Sequence, residues 1–247
     1  MAVIEFDHVS YSVGGRSILR DFNLQVDEGE TLVLLGRSGS GKTTALKLVN
    51  GGLMPASGRV VVEGKPTSEW DLVRLRRRIG YVIQETGLFP HFTIRENVGL
   101  VPRLERWETP RITSRVEELM TRVELPGNDF GDRYPHQLSG GQRQRAGVAR
   151  ALANDPPILL FDEPFGAVDP VTRLELQKQF VSLRDAMRKT ALFVTHDTRE
   201  ALVVGTRVAL LSGGILVFLG TGDEFVASRQ AEAKAFLELL GDPKHAG

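Results

Sequence analysis

Gly36-Arg37-Ser38-Gly39-Ser40-Gly41-Lys42-Thr43-Thr44 decides how this chain is read. It follows the apolar run Thr31-Leu32-Val33-Leu34-Leu35 and precedes Ala45-Leu46-Lys47-Leu48-Val49. The order reads as strand, glycine-rich loop and helix, the context in which a G-x-x-x-x-G-K-[ST] match becomes a phosphate site. Gly36, Gly39 and Gly41 allow positive φ and a close approach of backbone to ligand. The loop N–H groups then form an anion nest, and the following helix adds the positive end of its dipole. Lys42 is placed to reach the β- and γ-phosphates, and the Thr43 hydroxyl to ligate Mg²⁺. The loop is expected to bind a nucleoside triphosphate.

Composition sets the bounds. The 247 residues suffice for one large domain or two lobes. Lys plus Arg equals Asp plus Glu at 31 each, so no global charge points to nucleic acid or an anionic membrane. Cysteine is absent, which fits a reducing compartment. Met1 to Asp7 lacks the basic and apolar regions of a signal peptide. No stretch approaches the ~20 apolar residues of a bilayer span; Val208 to Leu219 comes nearest, and Ser212-Gly213-Gly214 splits it into a hairpin.

Upstream of the loop, residues 2 to 26 alternate as strands about a Gly14-Gly15 turn, with Phe22, Leu24 and Val26 on one face. Tyr11, just before that turn, is either a nucleobase-stacking ring or an ordinary edge-strand tyrosine. Downstream, Gly51-Gly52 stops the helix, Gly58 to Glu63 makes a strand, and Asp71 to Arg78 a short helix whose arginine run reads as a solvated face. Ile79 to Ile83 is a buried strand ending at Gln84, a metal or water ligand or a loop hydrogen-bonder. Gly87-Leu88-Phe89-Pro90-His91-Phe92-Thr93 is a short apolar loop that packs inside or offers a contact surface. From Ile94 to Ala153 the pattern is helical, with Val116, Leu119, Met120 and Val123 on one stripe, as for a helical lobe inserted into an α/β core.

The second anchor is Ile158-Leu159-Leu160-Phe161-Asp162-Glu163. Four large apolar residues make a strand covered on both faces. An unpaired carboxylate buried beside them would cancel several side chains' worth of burial, so Asp162 and Glu163 are expected at the strand's mouth, where open parallel sheets bind ligands. Asp162 would support Mg²⁺ and Glu163 orient or deprotonate a water; an acidic cap of the next helix is the alternative. His196 closes the strand Ala191 to Thr195 and either bonds a γ-phosphate or serves as a loop histidine. A helix over 169 to 189 precedes that strand; the 207 to 219 hairpin, Glu224 to Ser228 and Glu232 to Leu240 complete the chain.

Leu138-Ser139-Gly140-Gly141-Gln142 narrows the class. Ser139 and Gln142 form a capping box, and two adjacent glycines bare N–H groups at the positive end of a helix, a second anion site. Two phosphate-binding helix ends in separate lobes suggest that two copies share each nucleotide. In this order of motifs the chain resembles the ATPases of ATP-binding-cassette (ABC) transporters over essentially its whole length. The resemblance implies Tyr11 as the base-stacking aromatic, Gly36 to Thr44 as Walker A, Gln84 as the Q-loop, and Leu138 to Gln142 as the signature. It further implies Ile158 to Asp162 as Walker B, Glu163 as the catalytic glutamate, Asp169 in the D-loop and His196 as the switch histidine. Gly166-Ala167-Val168 departs from the commoner D-loop residues.

The resemblance implies an α/β fold: a P-loop NTPase (RecA-like) core with an N-terminal antiparallel β-subdomain and an inserted α-helical subdomain. The core would take 1–86 and 154–222, the helical insert 87–153, and a helical tail 223–247. ATP and Mg²⁺ are the implied cofactors, with Thr43, Gln84 and Asp162 on the metal and Lys42, Glu163 and His196 catalytic. The implied partners are a second copy on ATP binding, integral-membrane permease subunits near Leu88 to Phe92, and indirectly a substrate-binding protein. The place is the cytoplasmic face of the membrane, with no nucleic acid bound. Tyr81-Val82-Ile83-Gln84, Gly87 to His91 and Leu100 to Trp107 are similar to importers of quaternary-amine osmoprotectants such as glycine betaine, choline or carnitine. Another ABC transporter, a non-transport ABC ATPase and a P-loop phosphotransferase are the rival readings.

Overall fold

A computed structural model describes residues 1–84, 87–166 and 168–241. The chain begins with β1 (Ala2–Val13), β2 (Arg16–Asp27), β3 (Thr31–Gly36), α1 (Lys42–Val49), β4 (Ser57–Val62), the short β5 (Lys65–Pro66) and α2 (Leu72–Arg78). It continues through β6 (Ile79–Val82), α3 (Ile94–Val98), α4 (Leu100–Leu104), α5 (Thr109–Arg122), α6 (Gly127–Phe130), α7 (Gly140–Leu152) and β7 (Ile158–Asp162). It ends with α8 (Pro170–Met187), β8 (Thr190–Thr195), α9 (Thr198–Val204), β9 (Arg207–Ser212), β10 (Ile215–Gly220), α10 (Gly222–Val226) and α11 (Ala231–Gly241). Two compact units result, one of residues 1–76 with 188–247 and one of 77–187.

The first unit carries two sheets. An antiparallel sheet of order β2-β1-β4-β5 matches the alternation read in the sequence. Its inner face is Ile4, Phe6, Val9, Phe22, Leu24, Val26, Val60 and Val62, all at most 3% exposed, and Phe6 meets Phe22 edge-on at 5.0 Å between ring centroids. The second set of strands runs β10-β9-β3-β8, with β8 and β9 parallel to β3 on either side and β10 antiparallel at the edge. Every residue of β3 is buried, as expected of a central parallel strand covered on both faces.

In the second unit β6 and β7 pair in parallel, and α3 to α8 supply the helices. The expected stripe on α5 is there: Val116, Leu119 and Met120 are at most 1% exposed. The arginine run is the solvated face its composition suggests, with Arg74, Arg76 and Arg78 exposed and Arg77 half-buried, and it also makes specific bonds. Leu75 is fully buried, Arg76 donates to the Asn50 and Gly51 carbonyls of the first unit's own helix end (3.2 and 2.9 Å), and in the second unit Arg77 pairs with Glu105 at 2.8 Å. Carbonyls at a helix C-terminus attract cations, so the run serves to tie elements down. No helix among the described residues is long and apolar enough to cross a membrane.

Leu34 is fully buried in β3, and trimming it leaves a cavity under the phosphate loop. Leu34→Ala is expected to cost about 2–5 kcal/mol, read as a lower denaturant midpoint; a midpoint equal to that of the parent would contradict the assignment of β3 to the core.

Candidate functional site

Strand register delivers three chain segments to one edge of the first unit. Leu35 lies opposite Thr195, and Gly36 opposite Leu211. The phosphate loop, His196 and Ser212 therefore leave three neighbouring parallel strands at their C-terminal ends, where α/β sheets bind ligands.

Two glycines show why the loop needs its sequence. At Gly36 a Cβ would lie 2.5 Å from the Leu211 carbonyl oxygen and 2.6 Å from Ser40 Oγ. Gly41 sits at φ 106° as the N-cap of α1, and a Cβ there would meet Leu19 Cδ2 at 2.7 Å. That cap brings no side-chain hydrogen bond to the first turn, and the positive end of a helix suits an anion. Lys42 is only 4% exposed; its ammonium donates to the Gly36 and Arg37 carbonyls at 2.7 and 3.1 Å, which holds it along the loop. Ser40 Oγ is buried with no hydrogen-bond partner among the described residues, facing the tight inside of the loop. Thr43 and Thr44 are half-buried on the first turn of α1.

Beside the loop is a cleft of about 520 Å³, lined by Arg16, Arg37, Ser38, Ser40, Ser212 and Phe236 among others. Tyr11 is half-buried in β1, opposite Leu19. His196 is exposed, and the helix start beside it fixes its position: Asp197 caps α9, accepting from the Arg199 and Glu200 amides (2.8 and 3.2 Å). The Thr198 hydroxyl donates to the Phe236 carbonyl of α11 at 3.2 Å.

The second unit presents the carboxylates. Tyr81 lies opposite Leu160 and Val82 opposite Phe161, so Gln84 and the Asp162-Glu163 pair emerge at the same end of two adjacent strands. Asp162 and Glu163 are half-buried, at the mouth of β7 as its apolar run implied. The Tyr81 hydroxyl donates to Asp162 Oδ2 at 3.3 Å. Burial first, and then the Asp162 charge, hold the Tyr81 phenol well above its ordinary pKa. Glu163 adopts φ 44°, an uncommon left-handed conformation for a residue with a Cβ, and its carbonyl accepts from the Gly166 amide at 3.1 Å. The Gln84 amide nitrogen lies 3.7 Å from the place a Gly166 Cβ would take.

Ser139 forms the expected capping box. It accepts from the Gln142 amide at 3.2 Å, and Gln142 Oε1 accepts from the Ser139 amide at 2.9 Å. Leu138 is buried and Ser139 exposed at the tip. Gly141 is glycine for a further reason that its helix-tip position did not suggest: a Cβ would lie 2.5 Å from Thr172 Cγ2 of α8. Asp169 accepts from the Thr172 amide at 3.0 Å, and this bonding to Thr172 lowers its carboxyl pKa. Ala167 lies outside the described residues.

Asn97 escapes a reading of the sequence, because a single polar residue on a short helix carries no periodic signal. Its fully buried amide donates to the carbonyls of Phe89, Phe92 and Thr93 (3.1, 3.1 and 3.0 Å) and accepts from the Phe89 amide at 2.7 Å. This fastens a loop on which Phe89, His91 and Phe92 pack ring to ring, with Phe89 42% exposed.

As for metal, no cluster of three or more His, Cys, Asp or Glu suited to a cation occurs among the described residues. In the second unit Gln84 and Asp162 offer an amide oxygen and one carboxylate at the same strand edge, and in the first unit Thr43 offers a hydroxyl on the first turn of α1. Oxygen donors of these kinds suit Mg²⁺, which commonly takes one or two carboxylates and completes its shell with waters and substrate phosphates.

Comparison with known proteins agrees with this architecture. The family described as ABC transporter matches residues 19–166. The glycine betaine/carnitine/choline transport ATP-binding protein OpuCA of Bacillus subtilis (strain 168) is 47% identical over 213 residues, 86% of this chain and 56% of that protein. The osmoprotectant import ATP-binding protein OsmV of Salmonella typhimurium (strain LT2) is 51% identical over 205 residues, 83% and 54% of the two chains. The chain thus spans about half the length of these curated relatives. Among solved structures, the dimeric post-hydrolysis state of the ATP-binding cassette MJ0796 bound to ADP and Pi superposes with a TM-score of 0.79 at 33% identity. It covers 89% of this chain and 98% of that one. CbiO1 from Clostridium perfringens, part of the cbiONQ ABC transporter complex, gives 0.84 at 27% identity, with 97% and 96% covered. With the family matched over more than half of the chain and a relative 47% identical over 86% of it, the chain belongs to the ABC transporter family as an ATP-binding cassette.

Proposed function

We propose that this chain is the ATP-hydrolysing subunit of an ABC importer that takes up a quaternary-amine osmoprotectant such as glycine betaine, choline or carnitine. The observation that carries the ATPase part is the phosphate loop: a buried lysine on a helix whose N-terminus has no side-chain cap. The solute class is supported by the transport functions of OpuCA and OsmV and by the further relatives named for choline, carnitine and glycine betaine.

In this reading the loop amides and Lys42 hold the β- and γ-phosphates, and the base stacks on Tyr11. Two copies close head to tail, so that Ser139, Gly140 and Gly141 of one complete the phosphate site of the other; that the MJ0796 cassette is dimeric supports pairing of two copies. Thr43, Gln84 and Asp162 would hold Mg²⁺, which would supply positive charge against the phosphates. Glu163 orients the attacking water and accepts its proton, and His196 donates to the γ-phosphate, so the work is positioning and electrostatic stabilisation. Glu163 holds an uncommon left-handed backbone where the chain leaves β7. Asp169 ties the start of α8 beside the signature helix.

The Phe89–Phe92 loop is the surface proposed to receive integral-membrane permease subunits at the cytoplasmic face. A ring cluster pinned by a buried amide is rigid enough to receive a push, and an exposed phenylalanine offers apolar area to a partner. A substrate-binding protein acts on the far side without touching this chain, and nucleic acid has no part.

Glu163→Gln is expected to keep ATP affinity while turnover falls roughly 10²–10³-fold, with a nucleotide-trapped dimer on size-exclusion chromatography; wild-type phosphate release would remove Glu163 from the chemistry. Asn97→Ala unfastens the aromatic loop, at a cost of about 1–3 kcal/mol for the buried groups left unpaired. Co-purification of membrane subunits in mild detergent should fall with it, and undiminished recovery would place the contact elsewhere. Uptake assays with co-reconstituted membrane subunits test the solute: stimulation by sulfate rather than by a quaternary amine would overturn the substrate class.

A further inference from the structure

Asp162 leaves β7 with its Oδ2 accepting from the Tyr81 hydroxyl. Residues 160 and 162 point to the same face of β7, because strand side chains alternate with period two. Tyr81 on β6 is in register with Leu160, so its side chain stands one alternation short of Asp162. Two residues of strand rise about 6.6 Å, a distance that a tyrosine laid along the strand direction can span and a smaller side chain cannot. The hydroxyl ends 3.3 Å from Asp162 Oδ2, and the ring is half-buried against the strand pair.

We infer that Tyr81 is a positioning residue that orients Asp162 by donating to its Oδ2, so that Oδ1 faces a divalent cation. An ionised carboxylate has two oxygens and about four lone-pair sites, so one donated bond removes a rotational choice without exhausting the acceptor. Hydrogen-bond partners behind a metal ligand fix its orientation in this way, and their loss commonly costs 10- to 100-fold in metal affinity. The inference rests on the reading of Asp162 as the metal carboxylate. A purely packing role is the rival, and phenylalanine would fill it equally well.

The test compares Tyr81→Phe and Asp162→Asn in the full chain, each in a Glu163→Gln background that suppresses turnover. Affinity is measured for Mn²⁺·ATP and, in EDTA, for metal-free ATP. The ratio of the two isolates the metal contact, and the electron paramagnetic resonance spectrum of bound Mn²⁺ reports its ligand geometry. Tyr81→Phe should lower that ratio by about tenfold and alter the Mn²⁺ spectrum, while metal-free ATP affinity and the melting temperature of the nucleotide-free protein stay at the parent's values. An unchanged ratio and spectrum in Tyr81→Phe, with a lowered ratio in Asp162→Asn, would overturn the role of Tyr81 alone. An unchanged ratio in Asp162→Asn would overturn the reading of Asp162 and Tyr81 with it. A fall in melting temperature and in metal-free ATP affinity with the ratio intact would reduce Tyr81 to packing.

Discussion

A helix must leave its first N–H groups without partners inside the helix, and the loop before α1 is built around that constraint. Gly41 at φ 106° starts α1 with no side chain to satisfy the first turn, and fully buried β3 holds the loop in place from below. The loop is tight for the same reason: Gly36 passes so near Leu211 and Ser40 that no Cβ fits. The ammonium of Lys42 is kept along the loop by its own carbonyls, and His196 and Ser212 arrive beside it because their strands flank β3 in parallel.

The second unit repeats the logic with opposite charge. Apolar β7 carries its carboxylates to the strand's end, where solvent, a cation or a donor can reach them, because an unpaired charge deeper in would be too costly. Its neighbour β6 contributes Tyr81 to Asp162 and Gln84 to the same edge. At the other helix tip the solution differs: Ser139 and Gln142 satisfy each other reciprocally, so the signature helix is stable as a capped helix and still exposes its serine. Packing also asks for glycine at Gly141, which clears Thr172 of α8.

Much of the site is legible in the chain because its requirements are local. A glycine pattern between an apolar run and a helix, a serine three residues before a glutamine, and two acids after four large apolar residues each state a backbone need that few other residues meet. Tyr11, Gln84 and His196 are ambiguous one by one, since an aromatic, an amide and an imidazole each serve many roles at strand ends. The arginine run is legible as a solvated face, since Arg74, Arg76 and Arg78 are exposed; that Arg76 also binds the Asn50 and Gly51 carbonyls does not show in composition.

The amino-acid order by itself determined where strands alternate and helices begin, where a glycine-rich loop turns between strand and helix, and which residues cap which turns, because these depend on dihedral freedom and hydrogen bonds within a few residues. Only the tertiary structure decided that Tyr81 reaches Asp162, that Asn97 gathers the carbonyls of Phe89, Phe92 and Thr93, and that Gly141 must make room for Thr172. Those contacts depend on strand register, on a buried amide's surroundings and on the distance between two helices, none of which leaves a periodic trace along the chain.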